Sequence, residues 1–591
     1  MDPAYEWDLT TLFKDDKAWE ASFPELDERA EKLMAYKGTL KDEETILTFF
    51  REETQMDLLL DDLFTYAFLR RSEDTTSDAG QQMYTKIYGK YVEISAKLAF
   101  SNPEILLLPE ETLKAMTDDP AMADYRYTMI QILRMKPHTL NADEEKLLAG
   151  VGEIFAAPKQ ISENLMDADM VFEPALDAEG KEHEVSGASY ILLQSSPDRV
   201  LRKNAFMSFY KGFRQHINTF SGTYSAAVNI AGTEAHIRHY KSARAASMAG
   251  EAVPENVYDN LIASVRGHMD QMYRYVSLRK RLLKIDDLHY YDLYAPLTKG
   301  VQKTYSYDEA KQMVLDTVSV FGDKYTDTVK RAFAERWMDV YPNKGKTGGA
   351  YSSGTYRSNP FILTNFSGTL DAVSTIAHEM GHSMHTYFSN HTQQPQNAQY
   401  TLFVAEVAST VNENLLVERL LANAADPKER LAYLNQYLEA FKGTVYRQTM
   451  FAEFEKEAHE LSESGAGLSA STFNGIYKKL IEDYFGPELT LDDEVQYEWA
   501  RIPHFYRPFY VYKYATSYSA AVALSEAIRT EGQPAVDRYL KFLSLGGSMD
   551  PIDELKIAGV DFTTPVPVDT ALDKFGRVID AAEEAADELG M

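Results

Sequence analysis

The chain has 591 residues with 45% apolar content, enough to bury a large core in a few domains or one multi-lobed body. Its 60 basic residues against 90 acidic ones leave a formal net charge of −30, a field that repels nucleic acid and anionic membrane, so neither is expected as a partner. It contains no cysteine, which excludes disulfides, a thiolate nucleophile and thiolate metal sites.

The opening, "MDPAYEWDLTTLF", lacks a basic stretch followed by an apolar one, and no run approaches 18 apolar residues. The expectation is a soluble, cytoplasmic protein with no obligate protein partner. Helical periodicity dominates from there on. It is clear in "TQMDLLLDDLFTYAFLRRS" (54–72), "MYTKIYGKYVEISAKLAF" (83–100) and "PENVYDNLIASVRGHMDQMYRYVSLRKRLL" (254–283). Strand signals are few. "DMVFEPALDAEGKEHEV" (169–185) predicts a hairpin with Gly180 in its turn. "NPFILTNF" (359–366) predicts an isolated strand, open at its edge to an extended peptide.

Between these lies a breaker-rich loop, "YPNKGKTGGAYSSG" (341–354). Its Gly345-Lys346-Thr347 invites a phosphate-loop reading. That motif needs a glycine five positions before the Gly-Lys pair, where Val340 stands, so nucleotide binding is rejected. Gly348 and Gly349 are expected to allow close backbone approach.

The next stretch carries chemistry. In "STIAHEMGHSMHTYF" (374–388), His378-Glu379-x-x-His382 is the HExxH pattern. Residues i and i+4 lie one above the other on a helix, so both imidazoles can reach one ion. Glu379 projects beside them, placed to accept a proton from an activated water. Gly381 costs about 1 kcal/mol of helix propensity relative to alanine, which fits close approach by another element. His385 is excluded from the ligand set because a third residue on one straight helix sits too far along the axis. The competing reading is a solvated helix face rich in histidine.

A catalytic zinc site wants a third protein ligand. After Pro395 the chain resumes as "AQYTLFVAEVASTVNENLLVERLL" (398–421), with Glu406 among apolar neighbours. An unpaired carboxylate there is costly to bury, and a metal would pair it. Glu413, two turns on, and Asp371, two turns before His378, are candidates to orient a ligand imidazole. Further along, "HFYRPFYVYKYATSY" (504–518) holds His504 and five tyrosines, with Pro508 expected to open a helix. Tyr510 and Tyr514 would then share a face. Tyrosines at helical spacing usually belong to a core, but neutral donors can also stabilise an oxyanion. His236 and His239 have no partner pattern.

The sequence HEMGH followed by "FVAEVASTVNEN" resembles the thimet-oligopeptidase-like zinc metallopeptidases, and among them the oligoendopeptidase F branch. The likeness extends to "WDLTTLF", "PHTLNADEEKLLA" (137–149), "SPDRVLRKNAF" (196–206), "GKTGGAYSSG" (345–354) and "RIPHFYRPFYVYKYATSYSAA" (501–521), and so covers nearly the whole chain. It implies a mainly α, two-lobed body with a deep central channel and a small β-sheet beside the zinc helix. It implies an N-terminal helical region over 1–110, a hairpin-bearing oligopeptidase region over 111–190, and a catalytic region over 191–591. The implied activity is endopeptidase cleavage of short peptides, with one Zn²⁺ on His378, His382 and Glu406 and with Glu379 as general base. His504, Tyr510 and Tyr512 are the implied oxyanion donors, and Tyr506 and Tyr514 remain open alternatives. A zinc exopeptidase and a non-catalytic peptide-binding protein are the competing functions.

Overall fold

The computed structural model describes residues 2–298 and 303–591. Helices account for most of it, and they are long where apolar periodicity is long. Glu43–Glu73 is one uninterrupted helix, capped by the Asp42 carboxylate accepting from the Thr45 amide at 3.0 Å. Arg199–Ile237 is another, capped by Asp198. Seven short strands are present among the described residues: β1 (Ala175–Leu176), β2 (Glu182–His183), β3 (Leu288–His289), β4 (Met338–Asp339), β5 (Tyr351–Ser353), β6 (Phe361–Leu363) and β7 (Leu489–Thr490). The mainly α fold expected from the sequence is the fold observed.

The chain forms two compact units, each built from three separate stretches. The first comprises Met1–Ala142, Gln302–Leu416 and Leu524–Gly559. The second comprises Asp143–Val301, Val417–Ala523 and Val560–Met591.

In the first unit, the N-terminal helices pack around Trp19, Leu26, Phe49 and Leu63, and the Trp19 indole donates to the Leu63 carbonyl at 2.8 Å. The sheet β4-β6-β5 lies in the same unit. β6 pairs parallel with β4 (Met338↔Ile362) and antiparallel with β5 (Ser352↔Ile362). This corrects one expectation. The strand within 359–366 is central and fully buried, so it cannot accept a peptide, and the free edges belong to β4 and β5. An all-apolar Phe-Ile-Leu strand buries both faces, which a central position requires.

The loop 341–349 is fastened by its lysine. Lys346 is wholly buried and donates to Asp339 Oδ1 (2.5 Å) and to the carbonyls of Tyr341 (2.8 Å) and Thr364 (2.6 Å). Its ammonium serves the protein's own backbone. The glycine that needs close approach is Gly345, at φ 88° beside Asp74. Gly348 and Gly349 stand in open space, and Gly349 is required instead for its φ of 77°.

In the second unit, β1 and β2 form the expected hairpin (Ala175↔His183), with Gly180 at φ 83° in the turn. Its core includes a buried carboxylate, Glu498, which accepts from Arg447 (2.7 Å), Arg501 (2.9 Å), Tyr290 (2.6 Å) and Tyr477 (2.8 Å).

Candidate metal centre

The HExxH pattern lies on the helix Leu370–Asn390, whose N-terminus is capped by Thr369 accepting from the Ala372 amide at 3.1 Å. A 3₁₀ turn over Pro395–Asn397 reverses the chain, and Leu402–Ala422 follows as the second helix. Gly381 lets the two helices touch. A Cβ there would stand 2.5 Å from the Ala408 carbonyl oxygen and 2.6 Å from Ser409 Cα, both backbone atoms that cannot turn aside. Asn412 adds a buried cross-link, donating from Nδ2 to the Ala377 carbonyl at 2.9 Å, one residue before His378.

This contact brings three ligand atoms to one point. His378 Nε2 and His382 Nε2 are 3.2 Å apart, and Glu406 Oε2 lies 3.4 Å from the first and 3.3 Å from the second. Atoms held about 2.0–2.1 Å from a common tetrahedral centre are separated by about 3.3–3.4 Å. The triangle therefore has the edges a tetrahedral ion requires, and its donor set of two imidazoles and a carboxylate suits zinc. Among the described residues this is the one such convergence of His, Asp or Glu.

Around the triangle, each group has a support. Glu413 Oε1 lies 3.2 Å from His378 Nδ1, which fixes that ring's tautomer and leaves Nε2 for a ligand role. Glu413, not Asp371, is the residue that meets this imidazole. Asp371 lines the adjoining cleft. Ser409 Oγ donates to Glu406 Oε2 at 3.1 Å. Ser409 and Asn412 are not singled out by the sequence; the signal for Ser409 is its place one turn after Glu406.

The electrostatics follow from burial and neighbours. Burial disfavours a charged His378, but the carboxylates of Glu406 and Glu413 outweigh it and raise its pKa to about 10. A field that draws a proton to the His378 imidazole also favours a divalent cation in its place. Burial likewise opposes the charge on Glu406, yet the two imidazoles win and hold it well below the usual carboxylate range. Glu379 goes the other way. It is 5% exposed, its Oε2 has no hydrogen-bond partner, and burial raises its pKa despite the imidazoles nearby. His378, Glu379 and Glu413 line a cleft of about 420 Å³ with Gly349, Thr364 and Asp371.

His385 lies outside this set. It is 1% exposed and stacks flat on Tyr400 with ring centres 3.7 Å apart, and burial pushes its pKa down to about 3.

The remaining expected residues belong to the second unit. His504 is exposed on a 3₁₀ turn, Pro503–Tyr506. The helix expected to open at Pro508 begins at Tyr512, because Phe509 adopts φ 54° and interrupts it. His504, Tyr510 and Tyr514 nevertheless cluster: ring centres are 6.3 Å apart for His504–Tyr510, 6.0 Å for His504–Tyr514 and 5.5 Å for Tyr510–Tyr514. Tyr512 points away into the unit's core, 1% exposed and 5.1 Å from the Tyr258 ring.

A helical chain with HExxH on one helix and a facing glutamate on the next has the site of a metallopeptidase. Residues 192–574 match peptidase family M3, and residues 104–172 match the region described as oligopeptidase F. The oligopeptidase PepF of Bacillus subtilis is 40% identical, covering 98% of this chain and 87% of its own length. The group B oligopeptidase PepB of Streptococcus agalactiae is 39% identical over 97% of this chain and 96% of its own. The crystal structure of oligoendopeptidase-F from Enterococcus faecium aligns with a TM-score of 0.75 at 33% identity, covering 97% of this chain and 99% of that one. The chain belongs to peptidase family M3 and is a metallopeptidase.

Proposed function

We propose that this metallopeptidase is a zinc-dependent endopeptidase that cleaves internal bonds of short peptides. The observation that carries the reading is the triangle of His378, His382 and Glu406 with the buried, unpartnered Glu379 carboxylate beside it. The relatives named as oligopeptidases support the substrate class.

Bound by these three residues, zinc would supply Lewis acidity, polarising a peptide carbonyl and lowering the pKa of a water from about 15.7 towards about 7. Glu379 accepts that water's proton as the water attacks the scissile carbonyl. Burial raises its pKa from the ordinary carboxylate value, the direction in which a carboxylate becomes a stronger base. The protonated Glu379 then delivers the proton to the leaving amine. Glu413 keeps the His378 ring in one tautomer throughout. His504 and Tyr510 are the oxyanion donors in this reading; Tyr512, the other tyrosine expected in that role, is 1% exposed in a core. Of the two tyrosines, Tyr510 is favoured because it is half-buried and clusters with the exposed His504.

The test is Glu379→Gln. It should retain one zinc per chain by elemental analysis while kcat falls at least about 100-fold. Turnover at the wild-type rate would remove Glu379 from the reaction. Mass spectrometry of products from an internally quenched peptide should find internal cuts. Release of terminal dipeptides or single residues alone would make the enzyme an exopeptidase.

A further inference from the structure

Within the second unit, Phe509 stands in the left-handed backbone region at φ 54°, five residues after His504 and immediately before Tyr510. Bulky side chains avoid this conformation, and it persists only where the surroundings over-determine it. Here they do. The Phe509 amide donates to Glu455 Oε1 at 2.7 Å in the interior. Ser247 Oγ donates to the carbonyl of the preceding Pro508 at 2.9 Å. The buried Phe509 ring lies 4.7 Å from His459 and 5.7 Å from Tyr258. Upstream, the Tyr506 hydroxyl shares a hydrogen bond with Thr223 at 2.7 Å.

Glu455 is the unusual member of this group. It is fully buried in the helix Arg447–Glu463, and its Oε2 has no hydrogen-bond partner. Burial drives its pKa well above the ordinary carboxylate range, against the opposing effect of the hydrogen bond from the Phe509 amide. His459, one turn on, is also buried with both ring nitrogens unpartnered. Burying two such groups is a poor way to gain stability. What the arrangement achieves is one fixed backbone reversal. That reversal sets the Tyr510 ring nearly parallel to His504, at 11°, with the Arg507 guanidinium 4.1 Å over its face.

We propose that Glu455 is a positioning residue for the peptidase reaction. Its carboxyl holds Phe509 in the left-handed conformation and thereby fixes how His504 and Tyr510 are presented. The proposal rests on the reading that His504 and Tyr510 act on the substrate.

The experiment uses full-length, zinc-loaded enzyme. Glu455→Gln keeps an acceptor for the Phe509 amide and should stay within about twofold of wild-type kcat. Glu455→Leu removes the acceptor and should lower kcat about 10- to 100-fold, with KM and zinc content little changed. Deuterium uptake by peptides spanning 505–512 should rise in parallel. Ser247→Ala, a milder change on the other side of the same turn, should lower kcat several-fold and guards against a misfolded Glu455→Leu. Wild-type kcat in both variants overturns the proposal, as does a fall in kcat with unchanged deuterium uptake. The double variant Glu455→Leu/Tyr510→Phe should be no worse than the poorer single variant, and additive losses overturn the route through Tyr510. Should Tyr510→Phe and His504→Ala both keep wild-type kcat, the underlying reading fails first and this inference falls with it. Should they lose activity while the Glu455 and Ser247 variants do not, only this inference fails.

Discussion

Glu379 and Glu406 face the same pair of imidazoles and are tuned in opposite directions. Glu406 makes close contact with both Nε2 atoms, which hold its pKa well below the usual carboxylate range, the state that metal ligation would require. Glu379 is more deeply buried and has no such contact at its Oε2, so it holds a proton more readily. The roles are separable by substitution. Glu406→Ala should abolish metal binding in equilibrium dialysis, whereas His385→Ala should leave metal content unchanged, because that ring is spent on Tyr400. Glu413→Ala should weaken metal affinity about 10- to 100-fold without removing a ligand. At this scale most of the centre is legible in the chain itself, since i, i+4 spacing alone aims His378 and His382 at one point. Glu413 rather than Asp371 as the tautomer-setting partner is not legible, because both lie at plausible helical distances and only the crossing of two helices chooses between them.

The element that makes the centre is the helix pair, and its tightest point is Gly381. The Gly381→Ala methyl would press on the backbone of Ala408 and Ser409. Forcing the helices apart should cost about 1–3 kcal/mol, read as a lower chemical-denaturation midpoint, and should weaken metal binding as the triangle opens. The turn between the helices is clamped in turn: Gly547 N–H donates to the Asn397 carbonyl at 2.8 Å, and a Cβ on Gly546 would strike Asn397 and Ser389. A glycine inside an otherwise strong helix pattern announces close approach, which is why Gly381 could be read. The reversal at Phe509 could not, because nothing in the residue type favours φ 54° and the groups that hold it, Glu455 and Ser247 among them, are distant in sequence.

For the molecule as a whole, stability should respond both to metal and to acid. Chelation should lower the thermal midpoint, since an ion at about 100 times its Kd contributes about 2.7 kcal/mol to the state that binds it. Acid acts through Glu498 in the second unit. Burial opposes its charge, but Arg447 and Arg501 hold its pKa far below the unfolded value of about 4.3. Its folded-state pKa is depressed, so the stability it contributes is fully present above about pH 4.3 and is lost as pH falls further. Glu498→Gln should flatten that part of the acid-unfolding profile. At neutral pH it should cost about 3–5 kcal/mol, because Arg447 and Arg501 are left buried without their partner. Helix content, the HExxH helix and the hairpin at Gly180 were determined by the sequence itself, because each rests on periodicity or on residue types within a turn or two. The tertiary structure alone decided that each compact unit draws on three distant stretches, that the Phe361–Leu363 strand is central, and that Tyr512 faces a core while Tyr510 and Tyr514 cluster with His504. Those outcomes depend on contacts between segments far apart in the chain, and local pattern carries no record of them.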